Sequence, residues 1–519
     1  MYIEPTTNIR LLKDVPLDNS YKHTLFFQTH ADQIGYFVSK QKYSLGNYSY
    51  QRINKGVARV GVCADNIYEC NYMMFKNINF GDKWFYAFIT KIEYVNNEMS
   101  TVEFEIDEVQ TWLFEMQLKE CYIERQHTVT DNKYEHIEPE TIDFGNMITL
   151  QSHVPNTTVD SDGHTIGNLH DWVLVVCTAP KGKDDILALK QNGVVSCAQY
   201  YYCQNTSNSV KDFLVNVLSD FDQDNIYSAY MFPSAFCGGS QPASSHIIDY
   251  GLDAPIRYNM SIKVPDSING YIPKNNKLFS SPYMLYEATD DCGNSQFYLP
   301  EMFGSNNIDF HVYGKYVGNP EICITPLSYK GEPENYSETF VISNFPMASF
   351  ASDTFRAWLA NNGMYTAISA AQNAVSLGAD ILTGNYFGVG HDIIGLTNQL
   401  NNVAVAYNQP NKLVTTDNSQ IVATLLQKIP RVKIKCLTQS YLKQVDDFFT
   451  VYGYSLNVKA IPNLHARKEF TFIKTNGCVV RGNIPIDAIR TICKCFDSGI
   501  TWWVNGENVG NYEVDNSVL

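Results

Sequence analysis

Thr101-Val102-Glu103-Phe104-Glu105-Ile106-Asp107 alternates apolar and polar side chains without a break. Successive side chains of an extended chain point to opposite sides, so this period of two marks a strand with one buried face. Just upstream, Gly81-Asp82 gives a turn signal, and Lys83 to Val95 follows as an aromatic-rich run carrying Trp84, Phe85, Tyr86 and Phe88. The two runs read as neighbouring strands of a sheet or barrel. The whole of 1–125 has this texture of strands and turns and is expected to form an N-terminal β domain.

Further along, 126–170 is polar, with Pro139, Pro155 and an Asp162-Gly163 turn, and reads as a linker or excursion. The continuous apolar run Val173-Leu174-Val175-Val176, inside Trp172 to Thr178, suggests a fully buried strand. A helix is expected around Val210 to Phe221, with Phe213, Leu214, Val217 and Leu218 on one face. Tyr-, Pro- and Gly-punctuated strands then fill 228–345, Asp309 to Val317 being the clearest. Residues 171–350 are thus a central β-rich part with a short helix.

The last hundred residues are locally basic. In Pro430-Arg431-Val432-Lys433-Ile434-Lys435-Cys436 the alternation puts Arg431, Lys433 and Lys435 on one strand face and Val432, Ile434 and Cys436 on the other. An amphipathic helix with Leu442, Val445, Phe449 and Tyr452 follows, and Gly453 is expected to stop it in the αL conformation. A second helix begins near Pro485, packs Ile489, Ile492 and Phe496, and ends at Asp497-Ser498-Gly499. Two short strands, Ile500 to Val504 and Val509 to Val514, are expected across an Asn505-Gly506 turn. Together, 412–519 reads as an α+β part, and the fold class is mainly β with some α, multidomain.

Composition narrows the function. The chain has 519 residues, a formal net charge of −16, 18 % charged and 13 % aromatic residues. That excludes a disordered chain, and 31 Gly excludes a collagen-like one. A chain of this length has about 3–4 domains as its prior. Tight non-specific nucleic-acid binding relies on cations that neutralise phosphates, which an acidic chain lacks. With 34 Tyr beside 28 Phe, large buried contacts between subunits are expected. Met1-Tyr2-Ile3-Glu4-Pro5 opens no basic region followed by an apolar one, so synthesis in the cytoplasm is expected, with the 13 Cys as free thiols.

Chemistry is scarce. There is no Walker A run, GxGxxG, HExxH or GxSxG. Cys493-Lys494-Cys495 point in different directions on a helix, and His127, His136, His153 and His164 are too widely spaced for a local metal motif. They read as ordinary loop histidines. The pairs Glu103/Glu105 and Asp446/Asp447 read as solvated carboxylates. No catalytic residue, metal site or cofactor is expected.

Two features carry more. The Arg431/Lys433/Lys435 face can touch DNA backbone or an acidic neighbouring subunit, against the alternative of a solvated strand face. Segment 351–411 is the second, and from Ala357 to Asn411 its only formal charges are Asp380 and Asp392. Apolar positions recur at Trp358, Leu359, Met364, Ile368, Val375, Leu377, Ile381 and Leu382, then at Tyr386, Phe387, Val389, Ile393, Ile394 and Leu396. Gly384, Gly388, Gly390 and Gly395 interrupt them, and no run reaches the roughly 18–20 apolar residues of an ordinary spanning helix. The segment reads either as a helix-rich insertion packed on its own domain or as a loop hidden in an assembly and later exposed to a bilayer.

The two ends of the chain carry ordered blocks. The first is Thr7-Asn8-Ile9-Arg10-Leu11-Leu12-Lys13-Asp14-Val15-Pro16, followed by Tyr21-Lys22-His23-Thr24, Tyr72-Met73-Met74-Phe75 and Trp84-Phe85-Tyr86-Ala87-Phe88. Phe104-Glu105-Ile106-Asp107 and Gln110-Thr111-Trp112 complete that end. The other carries Tyr452-Gly453-Tyr454, Pro462-Asn463-Leu464, Arg467-Lys468, Ile489-Arg490, Gly499-Ile500-Thr501 and Gly510-Asn511-Tyr512. In these blocks the chain resembles the distal tail knob proteins of small short-tailed phages of Gram-positive hosts with protein-primed replication.

The resemblance implies β-barrel or sandwich tube domains, closed by the first and last segments together and assembled as a homo-hexamer in a six-fold ring at the virion tail tip. It implies that the hydrophobic loop plugs the channel before infection and forms a pore in the host cell membrane on ejection, with viral DNA passing through without specific binding. Implied partners are other tail components: the lower collar or proximal tail protein, and a tip peptidase or cell-wall-degrading protein. An acidic subunit suits a conduit better than a binder. The rival readings are a receptor-binding adsorption protein, which favours a trimer, and a cell-wall hydrolase, which needs a paired acid and base or a metal.

Overall fold

The computed structural model describes residues 6–48, 56–78, 81–132, 134–143, 145–155, 172–178, 190–191, 194–195, 199–204, 226–236, 246–248, 257–304, 307–315, 320–343, 345, 347–349, 414–415 and 430–519. The chain divides into two compact units, one made of Met1–Asn146, Gly270–Tyr283 and Leu437–Leu519, the other of Met147–Asn269 and Met284–Cys436.

In the first unit the run that opened the sequence reading becomes the strand Met99–Ile106, hairpin-paired with Phe85–Asn96. They belong to a six-stranded antiparallel sheet ordered Gln41–Tyr48, Thr7–Lys13, Cys70–Lys76, Phe85–Asn96, Met99–Ile106, Val57–Val60. Both faces of this sheet are covered, which is why Tyr72-Met73-Met74-Phe75 is apolar throughout. Met73 and Phe75 pack with Ile9, Leu11 and Phe104 on one side. Tyr72 and Met74 pack with Phe37, Tyr86, Phe470 and Trp503 on the other. Leu12 follows Leu11 onto the opposite face by ordinary strand alternation, in register with Tyr72, and joins the second of these clusters, while the register shift there leaves Lys42 of the edge strand as the extra residue.

A five-stranded sheet draws on both ends of the chain, in the order His23–Leu25, Ile500–Trp503, Phe470–Asn476, Cys121–Gln126, Tyr454–Ala460. The helix Ile486–Ser498 buries Ala488, Ile492, Cys495 and Phe496 and stops at Gly499, with φ +94°. The helix Gln439–Tyr452 stops at Gly453, but with φ +66° and ψ −156°. That is the region essentially reserved for glycine rather than αL, and a Cβ there would come within 2.6 Å of the Gln126 carbonyl. The expected hairpin at the C-terminal end does not form. Asn505 has φ −109°, not the positive φ of a two-residue hairpin, and its side chain accepts from the Glu507 amide at 3.0 Å to start a 3-10 turn, Gly506–Asn508. Val509, Tyr512 and Val514 then pack on the Trp503 cluster instead of pairing as a strand.

The second unit is also built of sheets. Trp172–Thr178 lies between Gln199–Gln204 and Ile226–Pro233 in a six-stranded sheet, an inner position that accounts for its uninterrupted apolar run. Asn307–Lys315 is central in a second sheet, between Arg257–Lys263 and Glu321–Tyr329. The helix expected around Val210 to Phe221 lies outside the described residues. The described architecture is mainly β with few helices.

Candidate functional site

The basic strand is Arg431–Leu437, lying between Met147–His153 and Met284–Thr289 in a four-stranded sheet of the second unit. Val432, Ile434 and Cys436 are fully buried, and burial pushes the Cys436 thiol up to about 11. On the other face Arg431 opposes Thr289, Lys433 opposes Glu287, and Lys435 opposes Leu285. Arg431 Nε lies 3.0 Å from Asp291 Oδ2, Lys433 pairs with the other oxygen of the same carboxylate, and Lys435 Nζ lies 2.9 Å from Glu287 Oε2. Lys435 also sits 5.2 Å from the Phe297 ring centroid. The three cations named from the sequence are therefore brought together, already answered by two carboxylates of the neighbouring strand and its turn. Half-exposed pairs of this kind contribute roughly 0.2–1 kcal/mol each. Their larger effect is to offset two of the three positive charges that this face offers a phosphate.

The apolar positions from Trp358 to Leu396 lie outside the described residues, as do Asp380 and Asp392. Among the described residues no helix is long and apolar enough to cross a membrane. Among the same residues no three His, Cys, Asp or Glu side chains are grouped to hold a metal ion.

Sequence reasoning missed a buried polar cluster in the first unit. Asp446, read as a solvated carboxylate, is 0 % exposed. It accepts from the Tyr271 hydroxyl at 2.7 Å, from the Lys274 and Asn275 amides at 2.8 and 3.1 Å, and from Asn275 Nδ2 at 2.8 Å. The signal was present in the spacing: Asp446 stands four residues after Leu442 and three before Phe449, on the apolar stripe of its helix. Nearby, the Glu140 side chain is 1 % exposed and holds two cations, Lys277 and Arg125, while accepting from the Ser455 amide at 2.9 Å. Lys277 gives another hydrogen bond to the Glu138 carbonyl at 2.8 Å. Burial lowers the Lys277 pKa, and the Glu140 charge opposes that shift.

His127 stands in a loop, directly after the strand Cys121–Gln126, but it is not solvated either. It is 3 % exposed; the Phe472 amide donates to its Nδ1 at 2.8 Å, so Nε2 carries the proton and donates to the Thr450 carbonyl at 3.1 Å. Burial, aided by Arg467, pushes it down to about 3. Asp107 goes the other way: burial raises it to about 7, although the Tyr72 hydroxyl and Gln110 amide donate to it at 2.9 and 3.0 Å. These groups tie distant segments together, and among the described residues they belong to no metal-holding group of His, Cys, Asp or Glu. What the arrangement supports is scaffolding.

Comparison with known proteins agrees. Residues 254–517 match the family described as the C-terminal domain of tail knob protein gp9 of Bacillus phage phi29, and residues 5–118 match the caudoviral major tail protein N-terminus. The chain is 24 % identical to tail knob protein gp9 of Bacillus phage phi29, over 99 % of this chain and 98 % of that protein. Identity to the tail knob protein gp9 of Bacillus phage PZA is 26 %, with the same coverage. Among solved structures, the tail knob protein gp12 of bacteriophage C1 superposes with a TM-score of 0.64 at 14 % identity, covering 98 % of this chain and 99 % of that one.

Proposed function

This chain belongs to the phage tail knob protein family, a structural component of the virion tail and not an enzyme, and from that premise we propose that six copies form the distal tail tube. The tube is plugged before infection and conducts DNA through the host envelope afterwards, and segment 351–411 enters the host membrane as the lining of a pore. The observation that carries this reading is that the match runs nearly end to end. The charge-poor segment therefore falls inside it rather than beside it. The net charge of −16 favours a conduit over a grip on DNA. So does the pairing of Arg431, Lys433 and Lys435 with Asp291 and Glu287, which suits a strand-to-strand tie. The proximal tail protein and a tip peptidase or cell-wall-degrading protein are the partners this reading implies.

Two experiments test it. Electron microscopy of the purified chain is expected to show six-fold rings, and trimeric spikes would overturn the tube. Dye-loaded anionic liposomes are expected to leak with the full chain, most strongly at acid pH, where Asp380 and Asp392 lose charge. A variant lacking 357–411 is expected to keep the rings and lose the leakage. Equal leakage from that variant would remove the pore.

A further inference from the structure

In the first unit three thiols that are distant in sequence come together: Cys478 and Cys493 pack against the same apolar cluster, and Cys478 interacts electrostatically with both Cys493 and Cys121. Backbone contacts fix this meeting from each side. The Cys478 amide donates to Asp497 Oδ1, at the end of the Ile486–Ser498 helix, at 3.0 Å, and the Thr475 hydroxyl donates to the same oxygen at 2.7 Å. The Lys119 amide donates to the Val479 carbonyl at 2.9 Å, and Val480 pairs with Leu118. The turn that carries Cys478, opened by Gly477 at φ +72°, is thus tethered to the helix that carries Cys493 and to the strand that begins at Cys121. Cys478 and Cys493 are half-buried, whereas Cys121 is 4 % exposed and starts an inner strand of the five-stranded sheet.

We propose that Cys478 and Cys493 are an oxidisable pair that stays reduced during synthesis in the cytoplasm and closes to a disulfide once the particle is outside. The oxidant is a low-molecular-weight disulfide. A thiolate of the pair attacks it and releases one small thiol, leaving a mixed disulfide on the protein. The second protein thiolate then attacks the bonded protein sulfur and releases the other small thiol. The protein pair loses two electrons and two protons, which end on the two small thiols. Cys121 is the less suitable member, since the oxidant must reach a sulfur. Burial raises the Cys478 thiol, so its thiolate is scarce at neutral pH and closure is slow, quickening as pH rises. A reducing compartment removes the oxidant altogether. The bond would join segments that already touch, constraining the unfolded chain more than the folded one.

The test uses the full chain, reduced, freed of reductant and incubated with oxidised glutathione at pH 8. It is then alkylated under denaturing conditions and mapped by mass spectrometry without reduction. The expected result is a peptide linking Cys478 to Cys493, at least tenfold less alkylation of both thiols, and a higher urea midpoint that dithiothreitol reverses. The link is expected to survive Cys121→Ser and to vanish in Cys493→Ser. Full alkylation of both thiols in the wild-type chain overturns the proposal, as does a dominant link from Cys478 to Cys121. Because the wild-type mapping decides the matter alone, a variant that fails to fold does not weaken the test.

Discussion

Replacing Glu140 by Gln removes the one carboxylate between two buried cations while keeping the side chain's size and one acceptor oxygen. Lys277 is 1 % exposed and the Arg125 side chain 11 %, so neither cation regains much water when the anion is lost. Removing one partner of a buried ion pair costs about 3–5 kcal/mol, because the charge left behind stays desolvated. With a urea slope near the upper end for a single unit, about 3 kcal/mol per molar, that is a midpoint shift of roughly 1–1.7 M. Trp84, Trp112, Trp502 and Trp503 belong to this unit, so its unfolding is read by tryptophan fluorescence. The deficit has a pH signature. Without Glu140, the main opposition to the burial that lowers Lys277 is gone and only the weaker pull of Glu138 remains, so its folded pKa falls further below its unfolded value. A lowered base destabilises the fold as pH falls and less as pH rises, so the variant's deficit shrinks as pH rises toward the unfolded lysine value of about 10.4. Lys277→Met alone leaves Glu140 paired with Arg125 and costs less. The double variant is expected to be more stable than Glu140→Gln alone, since it removes the stranded cation. A Glu140→Gln midpoint indistinguishable from wild type, or strictly additive single costs, would refute the reasoning.

His127 and Asp107 pull stability in opposite directions with pH. Neutral His127, at about 3 in the fold against about 6.5 unfolded, loses stability as pH falls through that window. Protonated Asp107, at about 7 against about 3.9, gains it as pH falls from 7 to 4. Relative to wild type, His127→Gln is expected to gain about 1.4 kcal/mol per pH unit on acidification from 6.5 to 4, and Asp107→Asn to lose a similar amount. Parallel urea midpoints of all three proteins across that range would contradict both assignments. Gly453→Ala must place a Cβ within 2.6 Å of the Gln126 carbonyl in a glycine-only conformation. A loss of at least about 1–3 kcal/mol is expected in the same denaturation assay, and a neutral result would count against this backbone geometry.

What the sequence made legible follows from periodicity. The strand Met99–Ile106 and the helices Gln439–Tyr452 and Ile486–Ser498 lie where alternation or helical spacing put them, because each has one buried face that its pattern records. The turn after Trp503 did not, since Asn505-Gly506 suits a hairpin locally, while the Trp503 cluster claims Tyr512 and Val514 for packing. Buried polar groups were the least legible. Asp446, Glu140 and His127 are polar letters in polar surroundings, and what buries them is chain more than a hundred residues away. Asp446 alone left a trace, through its place on an apolar stripe. The cationic strand face was legible as a face, but its carboxylate partners on the neighbouring strand and its turn, far away in sequence, were not, because register is not written in either strand alone.

That pairing gives the conduit reading a quantitative handle. Asp291 answers both Arg431 and Lys433, so Asp291→Asn frees two cations without touching them, and the strand's buried face of Val432, Ile434 and Cys436 stays as it was. The stability cost is small, since half-exposed pairs contribute little. The effect on DNA is not small if the face is open to it. Each phosphate newly neutralised steepens the dependence of log affinity on log salt by about 0.9 for duplex DNA. The wild-type chain is expected to bind duplex DNA weakly, and Asp291→Asn to bind more tightly with a slope steeper by up to about 2, measured by fluorescence anisotropy from 50 to 200 mM salt. A particle carrying the substitution should then eject its genome more slowly, since a tube that holds phosphates brakes their passage. An unchanged salt slope would mean that DNA does not reach this face, and the carboxylates would then serve the sheet alone.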